Sequence, residues 1–158
     1  MSNGSGQSGR KVICTNRKAR HEYSIEDTYE AGMVLMGSEV KSLRAGKVQL
    51  NDAWVKIDEG GAWLMQAHIA PYPWANLYNH EPLRPRKLLL HKKELKKLRD
   101  VTRQKGYTLV PLELYFKRGF AKLQFGLGKG KKLYDKRADL KASEAKREMA
   151  RAKKYQDR

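Results

Sequence analysis

The chain has 158 residues, with 34 Lys plus Arg against 17 Asp plus Glu, a formal charge of +17 at pH 7 and an isoelectric point near 10.0. This length suits one domain with an appended arm and excludes two full cores, while 40% hydrophobic residues exclude wholesale disorder. A charge so far from neutral favours a polyanionic partner.

Residues 1–10, rich in Gly and Ser, read as a flexible leader. No apolar segment follows their charges, so they do not form a secretory signal. Val12 to Thr15 predicts a first strand, with the lone Cys14 as a small core residue; a single cysteine forms no internal disulfide and fits a reducing compartment. Asn16 has the chemistry of a helix N-cap before Arg17, Lys18, Arg20 and His21. Tyr23 to Met36 then predicts strand, bent near Gly32.

Gly37 to Lys47 predicts a short helix with Ser38 as cap, Val40 and Leu43 toward a core, and Lys41 and Arg44 on a neighbouring face. Ala53 to Asp58 and Ala62 to Ile69 read as a hairpin, with Trp54 and Trp63 expected in the core. Four of the five prolines follow at 71, 73, 82 and 85, enclosing Tyr72, Trp74 and Tyr78 in a long irregular loop. Lys87 to Leu90 predicts a strand and His91 to Lys105 a helix with Leu95, Leu98 and Val101 as its stripe. Tyr107 to Phe116 and Phe120 to Leu127 form a second hairpin, in which Pro111 marks an edge or bulge.

From Gly128 the composition changes: Gly128 to Lys132 reads as a flexible basic hinge, and the remaining tail lacks Trp, Phe, Val and Ile. Such a tail has helix formers but little to bury, so it is expected to be disordered alone and helical on a polyanion. Residues 129–158 carry twelve bases against five acids and residues 1–20 carry five bases and no acid, so most of the excess charge lies in the two ends. The expected organisation is leader 1–10, barrel 11–128, and hinge and tail 129–158. The barrel is mainly β with peripheral helices: an OB-like antiparallel barrel, a form that presents loops and a face to oligonucleotides.

The chemistry of catalysis is thin. Four scattered histidines and one cysteine show no zinc spacing, the Gly126 to Gly130 run lacks the Walker pattern, and the acids are dispersed. No metal, cofactor or catalytic residue is predicted. The apolar runs, such as 33–36 and 88–90, fall far short of the ~18 residues a bilayer span needs, and no membrane partner is expected. RNA binding is favoured: phosphate contacts from clustered cations, and stacking on Tyr72, Trp74, Tyr78 and Tyr134. A generic single-strand RNA binder and an RNA-processing enzyme on a similar barrel are the alternatives.

The segments Asn16 to Tyr23, Glu30-Ala31-Gly32, Gly37 to Lys47, Arg86 to His91, Gly106-Tyr107-Thr108, and Gly128 to Lys132 through Asp135-Lys136-Arg137 together resemble the SsrA-binding protein family, also called small protein B. The resemblance runs from about Ile13 to the C-terminus. It implies an OB-type barrel that binds the tRNA-like domain of transfer-messenger RNA in the bacterial cytoplasm and brings it, alanine-charged and with elongation factor Tu, to stalled ribosomes for trans-translation. It implies no catalysis and a monomer, with a tail that senses the empty decoding centre and mRNA channel of the small-subunit rRNA. Asn16, Glu30 and Leu89 fall on family positions associated with the RNA. Arg17, Lys18, Arg20, His21, Lys41, Arg44, Lys47, Lys129, Lys131 and Lys132 complete the RNA-binding set. The ribosome-sensing set is Tyr134, Asp135, Lys136, Arg137, Lys141, Lys146, Arg147, Arg151, Lys153 and Lys154, with Tyr134 standing where some relatives have histidine.

Overall fold

The computed structural model describes residues 9–131 and 133–156. In chain order, β1 (Arg10–Thr15), α1 (Arg17–Glu22), β2 (Tyr23–Met33) and α2 (Gly37–Arg44) precede β3 (Val48–Gln49), β4 (Trp54–Asp58), β5 (Gly61–Met65) and β6 (His68–Ile69). A 3-10 turn at Asn76–Tyr78 then leads to β7 (Arg86–Leu89), α3 (Lys92–Thr102), β8 (Tyr107–Lys117), β9 (Phe120–Gly130) and α4 (Leu133–Gln156).

Six strands close into a ring in the order β8-β4-β5-β7-β2-β9, because β8 pairs both β4 and β9; every pairing is antiparallel. Closure removes the exposed sheet edges of an open sheet. The eleven residues of β8 make this possible by changing partners: Leu109 pairs β4, and Glu113 to Lys117 pair β1, which lies outside the ring. The predicted bulge at Pro111 is present, with a register shift between Pro111 and Glu113. Alternation sets Val110 and Leu112 outward onto Ala19 of α1, and the bulge returns Leu114 to the main core with Leu109, Leu64, Leu88, Leu98, Leu123 and Phe125.

Several local expectations are corrected. Asn16 precedes α1 but makes no side-chain cap; its Nδ2 donates to the carbonyls of Pro111 at 2.9 Å and Leu50 at 3.4 Å. Met36, not Ser38, is the cap of α2, and Ser38 instead meets His80 Nδ1 at 2.8 Å. Trp54 lies on the outer side of β4 and is 43% exposed, and Trp63 is only half-buried, because strand alternation gives the core to Val55, Ala62 and Leu64.

The glycine-rich run is not a flexible hinge through its first residues: β9 continues to Gly130. Gly126 and Gly128 sit against β2, where an added Cβ would come 2.7 Å from Ile25 Cγ2 and 3.1 Å from Tyr23 Cβ respectively. These glycines serve close strand packing. The tail forms the helix α4, whereas composition predicts disorder for it when unbound; its alanines and straight-chain residues supply the helical preference. It touches the body at α1, and Leu140 and Met149 remain exposed. The leader up to residue 8 lies outside the described residues.

Candidate nucleic-acid interface

The side chains of Glu30 and Leu89, predicted from different parts of the chain, meet in one cleft. β2 lies between β7 and β9, so that Gly32 faces Leu89 on one side and Lys122 on the other, and Glu30 faces Gln124. A Cβ on Gly32 would lie 3.5 Å from Leu89 Cβ and 3.6 Å from Lys122 Nζ, so the missing side chain lets an apolar group and an ammonium converge. With Leu90, His91 and Glu94 from the start of α3 they enclose about 320 Å³. A carboxylate that accepts, a cation that pairs with phosphate and a 55% exposed leucine stand together, a set suited to a nucleotide.

Glu30 is held from behind. The buried Tyr115 donates its phenolic hydrogen to the Glu30 carboxylate, and Lys117 Nζ lies 3.5 Å from it. The Tyr115 hydrogen bond, with the charges of Lys117 and Lys122, holds the Glu30 carboxyl below its ordinary value against a smaller effect of burial. Burial first, and then the Glu30 bond, push the Tyr115 phenol well above its ordinary value. Arg10 stacks on the Tyr115 ring with its guanidinium carbon 3.7 Å from the centroid and pairs with Glu113. Tyr115, Lys117 and Lys122 were not singled out from sequence. Lys122 was findable, since β9 alternates Leu123 and Phe125 inward, but the Tyr115 contact is a long-range pairing with no local signal.

The other predicted cations are spread over the surface. Lys41, Arg44 and Lys47 are exposed on and just after α2, with Lys41 Nζ 5.3 Å from the Tyr72 ring. The acid of that helix does not offset them outside, because Glu39 is buried between Arg84 and Arg86. Arg17, Lys18, Arg20 and His21 are exposed on α1, where Lys18 pairs with Glu22 at 3.6 Å. Arg20 and His21 line a groove against Leu140, Ser143 and Lys146 of α4.

Lys129 stacks on Tyr107 at 4.6 Å, and Lys131 Nζ donates to the Arg20 carbonyl at 2.8 Å. Asn16 is 4% exposed and its amide nitrogen ties the junction of β1 and α1 to β8, while the residue also lines a pocket with Lys18 and Glu22. Lys132 lies outside the described residues, as do the side chains of Tyr134, Asp135 and Lys136. Arg137, Lys141, Lys146, Arg147, Arg151, Lys153 and Lys154 are exposed along α4. Trp74, Leu77 and Tyr78 are 80%, 95% and 85% exposed in the loop after β6. Among the described residues no three His, Cys, Asp or Glu side chains converge to hold a metal ion, and no helix is long and apolar enough to cross a membrane.

The family model described as SmpB protein matches residues 13–155. The chain is 57% identical over 152 residues to the SsrA-binding protein of Bacillus subtilis (strain 168), covering 96% of this chain and 95% of that protein. It is 56% identical over 158 residues to the SsrA-binding protein of Bacillus velezensis, covering 100% of this chain and 97% of that one. Among solved structures it is similar to a chain from work described as "tmRNA-SmpB: a journey to the center of the bacterial ribosome". That match has 51% identity and a TM-score of 0.64, over 76% of this chain and 85% of the other.

Proposed function

Because this chain belongs to the SmpB protein family, matched over residues 13–155, we propose that it is an RNA-binding adaptor of trans-translation. It binds the tRNA-like domain of transfer-messenger RNA and delivers that RNA to stalled bacterial ribosomes. The observation that carries this reading is agreement over the whole chain with SsrA-binding proteins, one of them 56% identical over 158 residues. The similar solved chain, whose description joins tmRNA, SmpB and the bacterial ribosome, supports both RNA partners. A ribosomal site of action fits a cytoplasmic protein, with elongation factor Tu joining through the charged RNA as part of the same proposal.

The physical parts fit an adaptor that acts by contact, without catalysis of its own. The cleft of Glu30, Leu89 and Lys122 grips a structured RNA, and the cations of α1, α2 and the end of β9 add phosphate contacts whose counterion release makes binding salt-dependent. In α4 the cations are exposed along the helix from Arg137 to Lys154. An mRNA channel without message is lined by phosphate and accepts this basic helix; a filled channel excludes it. The tail thereby senses occupancy without reading sequence.

Truncation after Leu133 separates the two parts. The shortened protein is expected to bind the tRNA-like domain with little loss and to support no tagging on stalled ribosomes. Tagging that survives the truncation removes the tail from the mechanism.

A further inference from the structure

Beside the Glu30 cleft, the outer wall of the barrel carries an ordered row of side chains. Lys56 of β4 is the direct cross-strand partner of Trp63 in β5, and Trp63 is the direct partner of Lys87 in β7. Paired residues share a face of the sheet. Their neighbours Val55, Ala62, Leu64 and Leu88 fill the core, so Lys56, Trp63 and Lys87 lie on the outer wall. The two lysine Cα atoms stand roughly two strand spacings, ~10 Å, apart with the indole between them. Trp63, Met65 and Pro85 line an open groove of about 600 Å³ with Lys56 at its side.

This row is continuous with the cleft. Leu89 lies two residues beyond Lys87 on the same exposed face of β7, and it is the leucine that meets Gly32 and Lys122. Gly61, the next outer position of β5 after Trp63, has no side chain, and the Lys87 stem passes 3.9 Å from where its Cβ would be. The Lys87 stem thus lies over the buried Gly61, between the indole and Leu89. Asp58, the direct partner of Gly61, lies 3.8 Å from Lys56 and offsets that ammonium, and Glu59 is adjacent, so Lys87 and, in the cleft, Lys122 are the cations that meet phosphate.

An aromatic face flanked by cations suits an unpaired nucleotide, because every base has a π-face to stack and a phosphate to pair. An apolar protein segment would have no use for the two flanking lysines. We propose that Trp63 is a base-stacking subsite for an unpaired nucleotide of the same RNA that the Glu30, Leu89 and Lys122 cleft holds, with Lys87 pairing a flanking phosphate. This deepens the RNA-binding reading above and rests on it.

The test uses the full chain carrying Trp54→Phe and Trp74→Phe, which leaves Trp63 as the single tryptophan. Titration with the isolated tRNA-like domain of transfer-messenger RNA quenches Trp63 fluorescence along the same isotherm as binding. Trp63→Leu weakens that binding by about 5- to 150-fold, and Lys87→Gln weakens it less while lowering the salt slope by about 1. Unquenched Trp63 at saturation, or wild-type affinity in a normally folded Trp63→Leu protein, overturns the subsite. Quenching by small ribosomal subunits but not by the isolated RNA domain overturns it as well. If Trp63→Leu does not fold, the fluorescence of the native residue decides alone. Loss of affinity in Leu89→Asp together with a bright Trp63 discards the stacking subsite and keeps the RNA-binding reading; no binding of the RNA domain by the wild type discards both.

Discussion

Arg86 donates from Nε to the Glu39 carboxylate at 2.5 Å, and both side chains are fully buried. The pair joins α2 to the start of β7, and the rest of the guanidinium closes the loop between them: Nη1 donates to the Ala67 carbonyl at 2.6 Å and Nη2 to the Pro82 carbonyl at 3.0 Å. Arg84 donates to the same carboxylate. The loop with the exposed Trp74 and Tyr78 is thus anchored where it enters β7, which accounts for an ordered return after a long irregular passage.

Glu39→Gln leaves two guanidinium groups facing a neutral partner in the interior, and is expected to cost about 3–5 kcal/mol in a urea melt. Burial pushes the Glu39 carboxyl up, but hydrogen bonds from Arg84, the Met36 N–H and Arg86 together hold it below its ordinary value. A carboxyl depressed in the folded state stabilises above its unfolded value, near ~4.3, and that contribution is lost as pH falls through the folded one. The melting temperature of the wild type should therefore drop with pH below that value, and the drop should be shallower in Glu39→Gln. Equal acid profiles would remove Glu39 as a contributor.

Gly126→Ala and Gly130→Ala should differ. The first places a methyl 2.7 Å from Ile25 Cγ2 and 3.2 Å from Leu112 Cδ1, whereas the second meets nothing within 4 Å. Overpacking at Gly126 is expected to cost about 1–3 kcal/mol, with Gly130→Ala near wild type in the same thermal melts. A matched pair of melts would mean that β2 and β9 yield at this contact.

Pro111 marked an edge or a bulge, of which the bulge is present, and the strands of the second hairpin were legible in the sequence as apolar and aromatic runs joined through Lys117-Arg118-Gly119. The ring closure was not, since β8 pairs with β1, β4 and β9, and no local pattern reports three partners. Glycines at 126 and 128 read as flexible because composition does not distinguish a hinge from a crowded contact. Glu30 and Leu89 were reached through family resemblance; their meeting depends on β2 and β7 being neighbours, which the barrel alone determines. Lys87 and Trp63 gain meaning from cross-strand register, which is likewise absent from the one-dimensional pattern.

Tyr115→Phe keeps the ring under Arg10 but removes the donor to Glu30. It should lower stability by about 1–2 kcal/mol and weaken RNA binding, with the Glu30 carboxyl moving back toward its ordinary value. Carboxyl titration by NMR and a binding isotherm on the same protein check both. Unchanged titration of Glu30 would show that Lys117 and Lys122 suffice to hold it.

Replacing Lys41, Arg44 and Lys47 together by Gln tests whether α2 contacts phosphate. The dependence of log affinity on log salt should become shallower by about 2–3, with weakening that is similar across RNA sequences. A parallel line of equal slope would leave these residues as a solvated face.

The most direct measurement is a competition gel shift at moderate salt between the tRNA-like domain of transfer-messenger RNA and an ordinary tRNA. Specific recognition predicts that the first is shifted at nanomolar protein and resists a large excess of the second, with Leu89→Asp abolishing the difference. Equal affinity for the two RNAs would contradict the adaptor reading and leave a generic basic RNA-binding barrel.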